Sequence, residues 1–177
     1  MSKVLEKVAV SQMMDFLERT GRLPPRQHGF RRGRSTITSV ASAHAAWKST
    51  AMKSKGKQFL AVAAFDLSAA FDTVSLDALR TELISLGFTS AAIQWVDSYM
   101  RGGQQLVDWN GARSKPLSVQ YGVRQGSIAG PLFFLIVTRN LAAIFEAASV
   151  YADDTTAWFA ADSWEALAIS IEVQSAR

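Results

Sequence analysis

Over residues 3 to 19, Val4, Leu5, Val8, Phe16 and Leu17 recur at near-helical spacing, and the pattern stops at Gly21 before Pro24 and Pro25. The spacing predicts a helix leading into the loop "PRQHGFRRGRST". Beyond it, Ile37, Val40, Ala41, His44 and Ala51 mark a second amphipathic helix, capped by Ser35 or Thr36 and ended by "KSKGK". "QFLAVAAFD" reads as a buried strand that stops at Asp66. Two helices follow, one with Leu76, Leu79, Leu83 and Leu86 on a face, the other with Ile93, Val96 and Met100; Gly87 and Gly102 stop them. Asn110-Gly111 between "QQLVDW" and "KPLSV" predicts a two-residue hairpin turn, with Pro116 on an edge strand. Pro131 then opens a helix expected to run to about Ala148. "SVYADDTTAWF" reads as strand, turn, strand, and Asp162 with Glu165 predicts a capping box for a last helix through Trp164, Leu167, Ala168 and Ile171. The order predicts an α+β domain with helices packed on a small antiparallel sheet.

Composition narrows the class. The chain has 177 residues, 49% hydrophobic and 19% charged, which is a globular balance. It has no cysteine, so a disulfide framework and a thiolate metal site are excluded, and an intracellular setting fits. The longest apolar run, "IAGPLFFLIV", is about half of a membrane span, and no membrane partner is expected. The net charge of +4 is unevenly spread: residues 1–57 carry +9 and residues 58–177 carry −5. A basic part suits a polyanion and an acidic part suits cations.

The acidic part raises a question at Asp153 and Asp154, adjacent carboxylates inside a run of β-branched and aromatic residues. Such a pair must be solvated at a turn, protonated or neutralised by a cation. Asp66 closes another strand. If strand and hairpin are neighbours, three carboxylates converge on one sheet edge. An oxygen-only set without His or Cys suits hard cations such as Mg²⁺. A single strand-end aspartate, by contrast, is more often a turn or cap residue.

"FDLSAAFDTV", "GVRQGS" and "YADDT", preceded by "QHGFRRGRST", stand in an order that resembles the reverse transcriptases of non-LTR retrotransposons over nearly the whole chain. "SKVLEKV" looks like the same family. The resemblance implies a right-hand polymerase fold, with part of the fingers in residues 1–57 and most of the palm in 58–177. It implies that Asp66, Asp153 and Asp154 form a catalytic triad holding two Mg²⁺ ions, for which Mn²⁺ can substitute. It also implies an RNA template, a DNA primer, dNTPs and action in the nucleus.

Further residues take roles from the same resemblance. Phe71, five residues after Asp66, stands where the resembled polymerases put an aromatic ring beneath the incoming sugar to select deoxynucleotides; by itself it is equally a core phenylalanine at a strand–helix junction. Gln125 and Gly126 match a substrate-contacting Gln-Gly pair. Tyr151 and Ala152 flank the primer terminus by resemblance, although Tyr151 also suits a strand. Arg31, Arg32 and Arg34 form a glycine-flexed basic loop suited to template phosphates. Asp72 reads as a helix N-cap, and His28 and His44 are not expected to catalyse.

The chain departs from the pattern at Arg124, where the family usually has proline, and at Arg139-Asn140, where it usually reads Asn-Asp. It is also expected to begin after the fingers arginine for the triphosphate and to end before the late palm lysine, primer grip and thumb, so activity of the chain alone is expected to be weak or absent. Three other classes stay open: a nucleic-acid-binding relic, an RNA-dependent RNA polymerase palm, and a metal hydrolase. Phe71 and the alanine before Asp153 argue against the second. The third leaves "RQGS" and the arginine loop unexplained.

Overall fold

The computed structural model describes residues 2–53, 58–124 and 126–176. In chain order the elements are α1 (Ser2–Arg19), α2 (Thr36–Lys53), β1 (Phe59–Phe65), α3 (Leu76–Ser85), α4 (Ser90–Met100), β2 (Gln104–Gln105), β3 (Asp108–Trp109), β4 (Ala112–Arg113), β5 (Leu117–Ser118), α5 (Ala129–Val137), a 3₁₀ turn (Leu141–Ala143), β6 (Ala148–Tyr151), β7 (Asp154–Ala161) and α6 (Trp164–Ser175). They gather into two units, Met1–Phe16 with Ala69–Val137, and Leu17–Ser68 with Thr138–Arg177.

The second unit is built on an antiparallel sheet in the order β1, β7, β6. Phe59, Ala61, Ala63 and Phe65 turn one face of β1 to a core of Phe145, Ala148, Ala157, Phe159 and Leu167, against which α6 packs. The other face of β1 carries Leu60 and Val62 half in water, so the strand alternates where the sequence reads as a buried strand. Across β6 lies α2. Its inward side is not the predicted Ile37–Val40–His44 stripe, which is exposed, but Ser39, Ala43 and Trp47. Small residues let the helix approach the sheet closely: Ser39 Oγ and Ser149 Oγ are 2.8 Å apart, and Trp47 meets Trp158 edge to face. The cap of α6 is Ser163, whose Oγ accepts from Ala166 N–H, rather than the expected Asp162 box.

In the first unit, α3 buries Leu79 and Leu83, and α4 buries Val96, as their spacing predicts. α5 is apolar on every side and almost wholly buried, as an all-round hydrophobic helix must be. It ends at Val137, well short of the expected Ala148; Thr138 to Asn140 form a turn instead, with Leu141 N–H donating to Thr138 O at 2.9 Å. Asn110 and Gly111 both take positive φ, 49° and 81°, the backbone of the predicted hairpin turn. The face of α1 again differs. Val4, Leu5 and Val8 are exposed, and within this unit the helix buries Met13 and the carboxylate of Glu6.

Candidate active site

The β6–β7 hairpin carries the adjacent aspartates. Tyr151 pairs with Asp154, so Ala152 and Asp153 are the two residues of the turn, and only the first takes a left-handed φ, 56°. That sign pattern belongs to a tight hairpin turn of the II′ kind. Asp153 therefore stands at the apex, half-buried, and Asp154 opens β7 with its side chain exposed. β1 pairs with β7 in a register that ends at Phe65 opposite Thr155. One residue further along that register, Asp66 falls opposite Asp154.

The carboxylates thus belong to one sheet edge, solvated at a turn and at a strand end. Their side chains are not drawn together: among the described residues no three acidic or histidine side chains stand close enough to hold a metal ion. Like charges on neighbouring exposed positions repel and turn to water. The donor set itself, three accessible carboxylates with no nitrogen or sulfur, fits a hard cation. Beside Asp154 is a cleft of about 240 Å³, lined by polar residues such as Thr36, Tyr151 and Thr156 and by apolar ones such as Val40 and Phe65.

Phe71 and Gly126 lie in the first unit. The Phe71 ring is half-buried and stacks on Phe134, centroids 4.7 Å apart. Its carbonyl accepts from Val123 N–H at 2.9 Å, and Gly122 N–H donates to Val74 O at 2.8 Å, so the segment after Asp66 and the "GVRQGS" loop are laced together. Gly122, at φ 88°, lies against Asp72, where a Cβ would come within 3.0 Å of backbone. Asp72 is exposed in this turn; the cap of α3 is Ser75, because its Oγ accepts from Ala78 N–H, and the expectation for Asp72 is corrected accordingly. Gly126 takes φ 74°, and Ser127 Oγ beyond it accepts from Gly130 N–H at the start of α5. Gln125 lies outside the described residues. Arg124 rests over the Tyr99 ring, 5.2 Å from its centroid, and lines a cleft of about 850 Å³ with Asp72, Gln104 and Gln120.

The arginine loop divides by role. Arg31 is turned inward: its Nε and Nη2 donate to both oxygens of Glu18, at 2.9 and 2.6 Å, and Nη1 donates to Pro24 O. Arg31 therefore fastens the loop through Glu18 and Pro24. Arg34 donates to Pro25 O at 2.7 Å, and Arg32 is exposed. Replacing Arg31 with alanine is expected to cost about 2 kcal/mol of stability. By contrast, Arg32 is exposed, so Arg32→Ala should leave the melting temperature unchanged; thermal melts of the two variants check both. His28 is buried, with Nδ1 2.9 Å from Thr38 Oγ1. Burial, then the charges of Arg34 and Arg31, lower its pKa and keep it neutral.

Sequence reasoning missed Glu6. Its Oε1 accepts from Tyr99 OH and from the N–H groups of Ile128 and Ala129, at the N-terminus of α5. A signal was present: Glu6, Met13 and Leu17 fall on one helical stripe, and a charge on an apolar stripe needs a partner.

The family model described as "Reverse transcriptase (RNA-dependent DNA polymerase)" matches residues 1–175. The chain belongs to the reverse transcriptase family. Among curated relatives, this reverse transcriptase chain is 29% identical over 141 residues to the "Probable RNA-directed DNA polymerase from transposon BS" of Drosophila melanogaster. It is 26% identical over 141 residues to the "RNA-directed DNA polymerase from mobile element jockey" of Drosophila funebris. The two alignments each cover 80% of this chain but only 15% of the relative. The resemblance to non-LTR reverse transcriptases is thereby borne out. Solved telomerases of Candida tropicalis share the fold: the apo form truncated from its C-terminal domain at TM-score 0.63 and 15% identity, covering 98% of this chain and 36% of that one. A complex with a fragment of telomeric RNA aligns at TM-score 0.65 and 14% identity, covering 94% of this chain and 30% of that one. The expected α+β polymerase architecture is borne out, and the family generally uses divalent metal ions. Among the described residues no helix is long and apolar enough to cross a membrane.

Proposed function

We propose that this chain is the core of an RNA-directed DNA polymerase, in which the 3′-hydroxyl of a DNA primer attacks the α-phosphate of a deoxynucleoside triphosphate and pyrophosphate leaves. The observation that carries this reading is the strand register that sets Asp66 on the line of Asp154 and puts Asp153 at the adjoining turn. These carboxylates would hold two Mg²⁺ ions, with Mn²⁺ able to substitute; bound there, the ions supply charge neutralisation for the phosphates and activation of the hydroxyl. The remaining work is positioning. Tyr151 borders the primer terminus, Gln125 and Gly126 meet the nucleotide, and Arg32 and Arg34 bind template phosphates. Residues 1–57 serve as part of the fingers and 58–177 as the palm, a functional division that does not follow the two units. The reading carries action in the nucleus with it.

Primer extension on an RNA template with dNTPs and Mg²⁺ tests it. Weak template-directed DNA product is the expected result, because the chain spans only 15% of its relatives' length. Nucleic-acid binding without synthesis would reduce the chain to a relic, and extension with NTPs in place of dNTPs would make it an RNA polymerase. Phe71, held flat by Phe134, is the proposed sugar gate. Phe71→Val should raise ribonucleotide use relative to deoxynucleotide use by about 10- to 200-fold, the range a steric contact of this size provides. Competing incorporation of the two substrates measures it.

A further inference from the structure

The segment before the arginine loop runs beside the aspartate hairpin. Gln27 bridges Val150 in parallel; His28 N–H donates to Val150 O at 2.7 Å, and Val150 N–H donates to Arg26 O at 3.0 Å. These bonds bring Gly29 against the turn itself. A Cβ at Gly29 would collide with Ala152 N, lie 2.8 Å from Ala152 Cα and 3.1 Å from the Tyr151 carbonyl carbon. Those atoms are backbone, so no side-chain rotation relieves the overlap. Gly29 is not among the glycines with positive φ, and the reason for glycine there is the close approach.

Local preferences are violated on both sides of this contact. Ala152 and Phe30 take left-handed φ, 56° and 57°, each costing about 1–2 kcal/mol. The buried amide of Gln27 has no hydrogen-bond partner for either atom. Costs of this kind persist where the surrounding structure over-determines a geometry. We propose that Gly29 is a positioning residue: its bare backbone forms the wall against which the Ala152–Asp153 turn is set, and so fixes where Asp153 and Asp154 project. The catalytic consequence rests on the polymerase reading, whereas the placement of the turn does not.

The test is Gly29→Ala beside Gly33→Ala in the ¹⁵N-labelled chain. Gly33 belongs to the same loop and takes φ 71°, but a Cβ there meets nothing within 4 Å, so it reports loop strain without the contact. Gly29→Ala should move the Ala152 and Asp153 amide signals more than those of Ala157 and Phe159, while Gly33→Ala leaves them in place. Mn²⁺ affinity should fall about 10- to 100-fold in Gly29→Ala alone. Unmoved Ala152 and Asp153 signals, or equal movement in both variants, would overturn the proposal. Should Gly29→Ala fail to fold, folding of Gly33→Ala places the demand for glycine at the contact, and equal failure of both variants overturns the proposal. A wild-type chain that neither binds Mn²⁺ nor extends a primer is a relic, which removes the catalytic consequence, and the amide shifts still decide the role of Gly29.

Discussion

Asp153→Ala is expected to lower RNA-templated primer extension by at least roughly 10³-fold, the scale on which active sites lose rate when a preorganised charge partner of the transition state is removed. The loss should be chemical and not structural. Asp153 is half-exposed at a two-residue turn and Asp154 is exposed, so truncating either removes little packing. Circular dichroism and melting temperature should stay at wild-type values. Affinity for a primer–template duplex, read by fluorescence anisotropy, should hold or rise, because one negative charge near the phosphates is gone. Asp66→Asn, which keeps shape and removes charge, should behave alike. If the two act on the same ions, the double variant should lose hardly more than either single one. Extension that persists in Asp153→Ala would remove these carboxylates from the chemistry.

The parts of this site that could be read in the sequence are those that short-range chemistry fixes. Asp66 ends an apolar run, Asn110-Gly111 dictates its own turn, and Asp153-Asp154 interrupts a run of β-branched and aromatic residues. Given two such strands, antiparallel pairing brings Asp66 and Asp154 to one edge. Which face of a helix is buried is a different kind of fact. On α2 the larger residues Ile37 and Val40 stay in water, while Ser39, Ala43 and Trp47 face the sheet through contacts with residues distant in sequence. On α1 the apolar stripe loses to Glu6 for a similar reason: three donors wait for it in the folded unit, and none is adjacent in sequence. Gly29 was invisible for the same cause. Nothing near it in the chain demands glycine; the demand comes from Ala152, far along the sequence. Nothing in the loop sequence separates Arg31 from Arg32 and Arg34; the difference lies in Glu18, which takes the Arg31 guanidinium.

Glu6→Ala should be the most destabilising single change outside the apolar core, at about 3 kcal/mol by chemical denaturation at pH 7. The carboxylate is 6% exposed, and its removal leaves Tyr99 OH and two helix-terminal N–H groups facing a cavity. The site also complements the positive end of α5. Burial by itself raises the pKa of Glu6, but the hydrogen bonds from Tyr99, Ala129 and Ile128, with the charge of Lys3, outweigh it and bring the folded value below the ordinary 4.5. A depressed carboxylate stabilises the fold fully above its unfolded pKa, and that contribution disappears as pH falls through the folded value. The stability gap between wild type and Glu6→Gln should therefore be constant from neutral pH down to about 5 and shrink below 4.5. Glutamine keeps an acceptor oxygen, so its deficit at pH 7 should be smaller than that of alanine. A gap that stays level into acid would mean that the charge contributes nothing and only the hydrogen-bond geometry matters. Because the same carboxylate fixes the start of α5, directly after Gly126 and Ser127, Glu6→Gln should also disturb the amide signals of Ile128 and Ala129 while leaving those of Ala157 and Phe159 in place.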